Sequence, residues 1–534
     1  MNTTLLLNGR VYAPQAPAAT AMAVTGDVVA WVGRDGPARA LHPDAQVVDL
    51  AGAFVAPAFV DAHVHATSSG LLLDGVDLTG CRSLAECLAA VRRFVRARPG
   101  AGVVWGHGWD ETVWPEGRPP SRAELDAAAG DAPVYLSRVD AHSAVVSSAL
   151  VALAPGARDT VGWSAQGPLN RQAHHHVRGA AREAMTSAQR RRAQEAFLAA
   201  AAARGVAAVH ECAGPDISGP DDLQALLALS AEGGRPEVVG YWGERTDPEI
   251  AATLGARGLA GDLFVDGALG SRTAALREPY TDDPGNCGAA YLSADQVADH
   301  VVTCTRAGIQ AGFHVIGDAG VEALVAGFAA AQQRVGRAAL AARRHRIEHL
   351  EMVSGPQAAA LGGWGVVGSV QPAFDAAWGG PTGMYARRLG EVRGVALNPF
   401  SVLAAHGVTL AFGSDSPVTP VDPWGAVRAA VHHRTPGSGI SPRAAFTAHT
   451  RAGWRAAGVD DGVSGVLAPG APATYAVWRT GGLVAVPADD RVQRWSADPR
   501  SGVPALPSVA PGAELPVCVR TVLRGVTIFD AEER

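Results

Sequence analysis

Lysine is missing from this chain of 534 residues, and all 45 of its basic residues are arginine. A genome biased toward G and C codons would account for the absence, but its chemical consequence stands. Without lysine there is no Schiff base, no lysine general base, no P-loop lysine and no carboxylated lysine to bridge two metals. Pyridoxal-phosphate enzymes and P-loop ATPases are therefore excluded.

Cysteine is also scarce, and no two cysteines have the C-x-x-C spacing of thiolate zinc sites and redox motifs. The six cysteines are Cys81, Cys87, Cys212, Cys287, Cys304 and Cys518. No apolar stretch approaches the roughly 20 residues that span a bilayer. The first ten residues lack the basic region of a signal peptide. We therefore expect a cytoplasmic protein with reduced thiols.

A basic face is lacking as well, because the net charge is −6 and the charges are spread without blocks. A nucleic-acid-binding protein would need such a face. With 48 % hydrophobic and 18 % charged residues, the composition is that of a folded chain. The expected partner is a small-molecule substrate, with no nucleic acid and no membrane, and a homodimer stays open as the assembly.

The body of the chain alternates short apolar segments with alanine-rich helical stretches such as 186–204, 293–307 and 319–335. Eight strands are predicted, at 58–65, 206–212, 237–242, 261–268, 309–316, 344–351, 365–371 and 409–415. This alternation predicts an α/β fold, a (β/α)8 TIM barrel over residues 58–464. The gap between the first two strands exceeds one connecting helix, so it is expected to hold an inserted subdomain at about 68–185.

The two ends of the chain, 1–57 and 465–534, contain short strand-like segments separated by Gly, Pro and Asp turns. Each end alone has too few strands to bury a face. We therefore predict that the ends pair into one small β-sandwich domain.

Five side chains with metal-ligand chemistry are predicted at the carboxyl ends of four barrel strands. His63 and His65 are alternate residues of the first strand and share a face, while His314, His349 and Asp415 close the fifth, sixth and eighth strands. Barrel active sites lie at these strand ends, and imidazole with carboxylate suits a divalent metal. Each residue alone has a structural interpretation, a buried hydrogen-bonded histidine or a helix N-cap, but the joint placement favours a metal site.

This pattern resembles the amidohydrolase superfamily of metal-dependent hydrolases. The opening phrase VAPAFVDAHVH at 55–65 is similar to the superfamily's Pro-Gly-Phe-Ile-Asp-x-His-x-His, with Ala58 in the glycine place. Other phrases resemble the amidohydrolase family 3 branch, called YtcJ-like, which N-substituted formamide deformylases also resemble. These phrases are GHGWDE at 106–111, DGALGSRTAAL at 266–276, HVIGD at 314–318, RIEHLEM at 346–352, SVQP at 369–372 and GSDSPV at 413–418.

The resemblance implies a role for each residue. His63, His65 and Asp415 would bind a first metal, and His314 and His349 would bind a second metal or orient substrate. Asp415 would shuttle a proton from a metal-activated water to the leaving nitrogen, so Asp415 and His349 are the expected catalytic residues. Zinc is the first choice for such ligands, although manganese, iron or cobalt would fit. One tightly bound metal is preferred, with a second left open.

One departure from the family concerns the missing lysine. Many relatives place a lysine, whose carboxylated form bridges two metals, where this chain has Asp262. The replacement could be Asp262 itself, Asp266 on the same face, or Glu211 near the end of the second strand. The alternative is a one-metal site in which Asp262 bonds to backbone or arginine.

Candidate substrate contacts are less sharply defined. His142 lies where the branch places a pocket histidine, Trp109 could form an aromatic wall, and Arg272 could grip a carboxylate. In the structural alternatives, His142 makes a hydrogen bond inside the insertion, Trp109 packs at the barrel rim and Arg272 forms an ordinary ion pair. The polar run His174–His176 lacks strand character and is interpreted as a surface loop.

The leading hypothesis is a metal-dependent hydrolase of a non-peptide C–N bond in an amide, formamide, carbamate or cyclic amide. The alternatives within enzymes are a deaminase, or a decarboxylase or isomerase that uses the same barrel. The alternative outside enzymes is an inactive binding or regulatory module, which the lost lysine would favour and the retained five ligands disfavour.

Overall fold

The computed structural model describes residues 3–100, 102–138, 143–215, 217–245, 247–484 and 504–533. The chain forms two compact units, one of Met1–His65 with Ala199–Arg534 and the other of Ala66–Leu198. No helix within the described ranges is long and apolar enough to cross a membrane.

The larger unit has a TIM-barrel-like α/β fold whose parallel strands lie in two sheets. One sheet has the order Glu237–Trp242, Val206–Ala213, Phe59–Val64, and the other has the order Gly258–Leu259, Gln310–Val315, Arg346–His349, Val367–Val370, Thr409–Phe412. The ladder is not closed. Where the sheets meet, the Ala260 amide donates to the Trp242 carbonyl at 3.0 Å, and the Asp415 amide donates to the His63 carbonyl at 2.8 Å.

Helices connect these strands and cover them. Those of the larger unit are Asp35–Leu41, Pro220–Ala231, Glu249–Leu254, Ala294–Ala307, Asp318–Val335, Arg337–Arg343, Gly355–Gly363, Pro372–Trp378, Met384–Leu389, Glu391–Gly394, Phe400–Ala405, Pro423–Val431, Pro442–Ala448 and Arg451–Ala456. Helix Ala294–Ala307 shows how local sequence sets the bounds. Ser293 and Gln296 form a capping box at its start, and Gly308 ends it in a left-handed conformation (φ 80°).

Apart from Glu237–Trp242 and Thr409–Phe412, the barrel strands are buried along their whole length, as expected for parallel strands covered by helices on one side and filled by side chains on the other. Every residue of Val206–Ala213, Gln310–Val315 and Arg346–His349 is buried. The polar side chains that these strands carry are therefore held in a dry interior.

The predicted fourth strand at 261–268 is wrong. The structure instead places the strand at Gly258–Leu259, and Phe264 makes only an isolated bridge to His314. Gly261 turns the chain here (φ 83°), and the Asp266 carboxylate accepts backbone hydrogen bonds from Ile316 and Gly317, which lie far along the chain. Backbone pairing at this point consists of the Val265 amide donating to the His314 carbonyl and the His314 amide donating to the Leu263 carbonyl, each at 2.9 Å.

Strands from both ends of the chain pair directly. Four amino-terminal strands form one sheet in the order Val28–Gly33, Ala21–Thr25, Thr3–Leu7, Gln46–Asp49. The second sheet has the order Arg10–Val11, Phe54–Pro57, Tyr475–Arg479, Val517–Leu523, Val526–Asp530, and Leu483–Val484 pairs separately with Leu506–Pro507. Side chains from both large sheets join one apolar cluster. The sandwich arrangement of these sheets stays a prediction.

The unit Ala66–Leu198 is built around a five-stranded sheet. Its strands are Val76–Asp77, Val104–Trp109, Val134–Arg138, Ser143–Val146 and Leu169–Asn170. Its helices are Ala66–Asp74, Leu84–Ala97, Arg122–Ala129, Ser148–Leu153 and Arg171–Glu183, with 3-10 turns at Glu111–Val113 and Pro155–Asp159, and helix Ser187–Ala202 runs past its end.

The interpretation of His174–His176 as a surface loop is wrong. These residues lie in helix Arg171–Glu183, and His174 is buried with its Nε2 2.6 Å from the hydroxyl of Tyr135. Ala173 and Val177 are buried on the same helix. The apolar spacing around the histidines therefore marked a helix that packs one imidazole inward.

Candidate metal centre

Two aspartates and three histidines converge at the carboxyl ends of the barrel strands. The Nε2 atom of His65 lies 3.2 Å from Asp262 Oδ2 and 3.2 Å from Asp415 Oδ1. The Nε2 atom of His63 lies 3.6 Å from Asp262 Oδ1 and 3.4 Å from Asp415 Oδ1. His314 joins from the other side, with Nδ1 3.7 Å from Asp262 Oδ1. Asp262 thus faces His63 and His65 on one side and His314 on the other.

His349 completes the cluster. Its ring centroid lies 4.4 Å from that of His314 and 5.3 Å from that of His63. His349 leaves its strand with φ 72°, and Asp415 has φ 54°, a left-handed backbone that is uncommon outside glycine. Strained backbone of this kind persists where the surrounding structure fixes it, and it clusters at functional sites.

Hydrogen bonds to the far side of each imidazole decide which nitrogen faces the cluster. His63 Nδ1 lies 2.8 Å from Glu348 Oε2, and His349 Nδ1 lies 2.8 Å from Gln371 Oε1. These contacts leave the Nε2 atoms of both rings directed at the site, which is how metal-binding histidines are held. His314 uses the opposite arrangement, since its Nε2 donates to the Gly267 carbonyl at 3.2 Å.

Glu348 is itself held by a fully buried arginine. Arg346 donates from Nε to Glu348 Oε1 at 2.6 Å and from Nη2 to Oε2 at 3.0 Å. Burial raises the pKa of Glu348, but Arg346 and His63 outweigh burial and hold it well below the ordinary value. The carboxylate therefore stays ionised beneath the histidines.

Asp61 fixes the strand ends that carry the site. Its Oδ1 accepts from the Ser414 amide at 2.8 Å and from the His63 amide at 3.3 Å. Because one carboxylate ties the first strand to the segment that bears Asp415, His63 and Asp415 keep a fixed separation.

The negative potential of the two aspartates favours positive charge inside the cluster. Burial lowers the pKa of His65, but Asp262 and Asp415 outweigh burial and raise it to about 10. Burial and the neighbouring His314 lower the pKa of His349 to about 4. His349 is therefore a neutral imidazole, which is the form that binds metal.

The donor set fits a divalent cation. Four buried atoms of the cluster have no hydrogen-bond partner in the described part of the chain: His63 Nε2, His314 Nδ1, Asp262 Oδ1 and Asp415 Oδ1. Buried polar atoms without partners are costly. Among the described residues, three sets of ligand atoms each have all their members within 4.8 Å of one another. Two of them include an aspartate of the cluster, namely His63, His65 and Asp415, and His63, Asp262 and His349, while the third joins His63 to Cys212 and Glu348. Mixed imidazole and carboxylate ligands are the chemistry of such cations.

Of the three candidates for the missing lysine, only Asp262 lies in this cluster. Asp266 accepts backbone hydrogen bonds from Ala275, Ile316 and Gly317 at 2.9, 2.9 and 2.7 Å. No convergent ligand set among the described residues contains Asp266 or Glu211. The alternative of Asp262 bonded to backbone or arginine is not what the structure shows, because its oxygens face histidines.

Two of the three predicted substrate-binding residues bond to other protein groups, and the third lies outside the described residues. Arg272 forms a bidentate pair with Asp282 at 3.1 and 2.9 Å. Trp109 is buried in the smaller unit, where its Nε1 donates to the Leu136 carbonyl at 2.9 Å. His142 lies outside the described residues.

Sequence reasoning did not assign Glu348, Gln371 or Asp61. Each lies within a phrase that carried the family resemblance, one or two residues from a histidine or at the end of a strand. Spacing alone could have placed Asp61 and Glu348 next to the ligand strands, but their partners depend on contacts between distant parts of the chain.

Comparison with known proteins identifies a family and similar solved structures. The sequence matches the family described as "Amidohydrolase family" over residues 46–529. The crystal structure of an uncharacterized metal-dependent hydrolase from Pyrococcus furiosus is similar, with a TM-score of 0.75, 28 % identity, and coverage of 89 % of this chain and 98 % of that chain.

Two further relatives are similar over most of their length. Protein LONG AFTER FAR-RED 3 of Arabidopsis thaliana is 27 % identical over 89 % of this chain and 87 % of its own. N-substituted formamide deformylase of Arthrobacter pascens is 24 % identical over 84 % of this chain and 87 % of its own. With the family match extending over nearly the whole sequence, the chain belongs to the amidohydrolase family.

Proposed function

We propose that this protein is a metal-dependent hydrolase of a non-peptide C–N bond in a small amide, formamide, carbamate or cyclic amide. The observation that carries the proposal is the convergence of His63 and His65 on Asp262 and Asp415, with each histidine Nε2 3.2–3.6 Å from an oxygen of both aspartates, around unpartnered buried atoms. The relative from Arthrobacter pascens, by name a formamide deformylase, supports the same bond type.

The ligands are assigned from the same geometry. His63, His65 and Asp415 would hold the first cation, zinc by ligand type. Asp262 takes the place of the bridging lysine and, with His314 and His349, offers a second position. A bound cation supplies Lewis acidity that polarises the substrate carbonyl and activates water.

Asp415 is the proposed proton carrier. Burial raises the pKa of Asp415, but His63 and His65 outweigh burial and lower it, so the carboxylate is ionised and ready to accept a proton. The same group then delivers the proton to the leaving nitrogen, which must be protonated before the C–N bond breaks. Neutral His349 beside it orients the substrate carbonyl.

The test is hydrolysis of formyl and acetyl anilides by the zinc-loaded protein, with the free amine measured. Asp415→Asn keeps the size of the side chain but removes the base, so we expect kcat to fall by about 10²–10⁴-fold. Asp299→Asn is the matched control, because Asp299 lies on the surface in a pair with Arg334. Unchanged turnover in Asp415→Asn, or no release of amine from any of these anilides by the zinc-loaded parent, would contradict the proposal.

A further inference from the structure

A cavity of about 330 Å³ opens beside Asp262 in the larger unit. Gly214 and Gly243 line it, and each directly follows a barrel strand, Val206–Ala213 and Glu237–Trp242. The cavity therefore lies at the carboxyl ends of the strands, next to a member of the metal cluster. Its volume is that of a small-molecule site.

The side chains that line this cavity are apolar apart from Asp262 and the hydroxyl of Tyr291. Ile217, Leu263, Phe264 and Tyr291 supply its walls. Phe264 packs against His314 with ring centroids 4.6 Å apart at 54°, so a flat hydrocarbon wall adjoins the cluster. Offset or edge contacts with such a ring favour aryl and alkyl groups.

No arginine or histidine is among the described residues that line the cavity. The candidate for anion binding that the sequence indicates, Arg272, is already held by both oxygens of Asp282. An anionic substituent that rests on these walls, away from the metal cluster, would lose water and gain no cationic side chain from the described lining residues, and burying an unpaired charge is costly. A neutral apolar substituent loses nothing of this kind.

We infer that this cavity receives a neutral aryl or alkyl substituent of the scissile amide and discriminates against amides that carry a carboxylate, such as N-acyl amino acids. The inference rests on the proposed function for the reacting bond, but it concerns recognition and can be tested apart from turnover. Ile217, Phe264 and Tyr291 would determine the specificity.

The experiment compares two ligands that differ in one group, the formanilides of 4-methylaniline and of 4-aminobenzoate. Binding to the zinc-loaded full chain is measured by calorimetry, and hydrolysis is measured separately. We expect the methyl compound to bind at least about tenfold more tightly.

Ile217→Arg places a cation in the wall of the cavity. We expect this variant to bind the carboxylate compound about tenfold more tightly than the parent does, so that the preference for the methyl compound narrows or reverses. Tyr291→Arg serves the same purpose at an exposed position that tolerates the change, since Tyr291 is 51 % exposed. The control for added charge is Val392→Arg, because Val392 is 85 % exposed and does not line the cavity. The control should keep the preference of the parent protein.

Equal binding of the two ligands by the parent protein would overturn the inference, and so would a preference that neither arginine variant shifts. If the neutral ligand is preferred and the variants shift that preference while neither ligand is hydrolysed, the recognition site stands and the proposed reaction fails. If both ligands are hydrolysed with equal kcat/KM, the reaction stands and the recognition site fails.

Discussion

At the scale of single residues, the site depends on side chains that hydrogen-bond to the metal-binding residues as well as on those residues themselves. Glu348 fixes the His63 ring by a 2.8 Å contact and is fixed in turn by Arg346. Gln371 does the same for His349. Partners of this kind set the tautomer and the direction of a metal-binding imidazole. The affinity for a metal should therefore respond to residues that do not touch it.

Glu348→Gln tests this dependence. The amide cannot carry the charge that holds His63, so we expect metal affinity to fall by about 10–100-fold. The variant should also lose about 3–5 kcal/mol of stability, because Arg346 is left as a buried charge without its counterion. Chelator competition on the folded fraction measures the affinity, and thermal unfolding measures the stability.

The matched control is Glu195→Gln, because Glu195 forms an exposed pair with Arg191. Exposed pairs of this type contribute about 0–1 kcal/mol, so both readouts should stay near those of the parent. A Glu348→Gln protein with the parent's metal affinity would show that His63 is oriented by other contacts.

At the scale of elements, Asp266 shows why a carboxylate at a strand end is not always a ligand. Its three backbone hydrogen bonds join the segment after strand Gly258–Leu259 to the segments at 275 and 316–317. Asp266→Asn turns an NH₂ group toward backbone N–H donors. We expect a loss of stability of about 1–3 kcal/mol for each buried group left unpaired.

The metal content of Asp266→Asn distinguishes this structural role from a ligand role. We expect the folded variant to retain the metal content of the parent, whereas Asp262→Asn should lose part of it. Elemental analysis of both proteins decides the point. Metal loss in Asp266→Asn comparable to that in Asp262→Asn would return Asp266 to the ligand set.

Buried neutral histidines behind the barrel strands make stability depend on pH. His345 accepts from the Ala311 amide at 2.9 Å, and burial lowers its pKa to about 3 from an ordinary value near 6.5. The unfolded chain therefore binds a proton that the folded chain does not between about pH 6.5 and pH 3. The stability from this group is complete above pH 6.5 and is lost as pH falls through that window, with a slope of up to about 1.4 kcal/mol per pH unit.

His345→Asn removes the titrating group and keeps an oxygen acceptor for the Ala311 amide. We expect the melting temperature of the variant to fall less steeply than that of the parent between pH 7 and pH 5. Parallel curves for the two proteins over this range would mean that His345 does not contribute to the acid sensitivity.

The same elements show what the sequence could and could not predict. The sequence predicts the strands Val206–Ala213, Glu237–Trp242 and Gln310–Val315, because apolar runs bounded by glycine determine the local preference for β-structure. The segment 261–268 was misjudged because its apolar run is bent by hydrogen bonds to distant amides. His174 was misjudged because polar composition hid the helical spacing of its apolar neighbours.

The sequence also predicts one part of the candidate site and not another. The convergence of the histidine and aspartate strand ends could be predicted, since barrel topology brings such ends together. The bidentate pairing of Arg272 could not be, because Asp282 lies in an irregular segment whose course no periodicity describes.

At the scale of the whole molecule, the two ends of the chain depend on each other. Strand Tyr475–Arg479 is hydrogen-bonded to Phe54–Pro57 on one side and to Val517–Leu523 on the other. Removal of residues 516–534 would strip one neighbour from this strand and expose an unpaired edge. We expect the truncated protein to aggregate or to melt at least about 10 °C below the parent.

A chain that lacks only residues 532–534 is the control, because these residues follow the last strand, Val526–Asp530. It should melt with the parent. A soluble chain truncated at 515 with the parent's melting temperature would show that the carboxyl-terminal strands add little to the fold.

Metal content per chain tests most directly whether His63, His65 and Asp415 hold a catalytic divalent cation. Elemental mass spectrometry on protein purified without added metal should find about one or two equivalents, with zinc foremost. The folded double variant His63→Ala, His65→Ala should lose that metal, and its amide hydrolysis should be lost with it. A parent protein that holds no metal and takes up none on dialysis against zinc, manganese or iron would contradict the account, as would a double variant that keeps its full metal content.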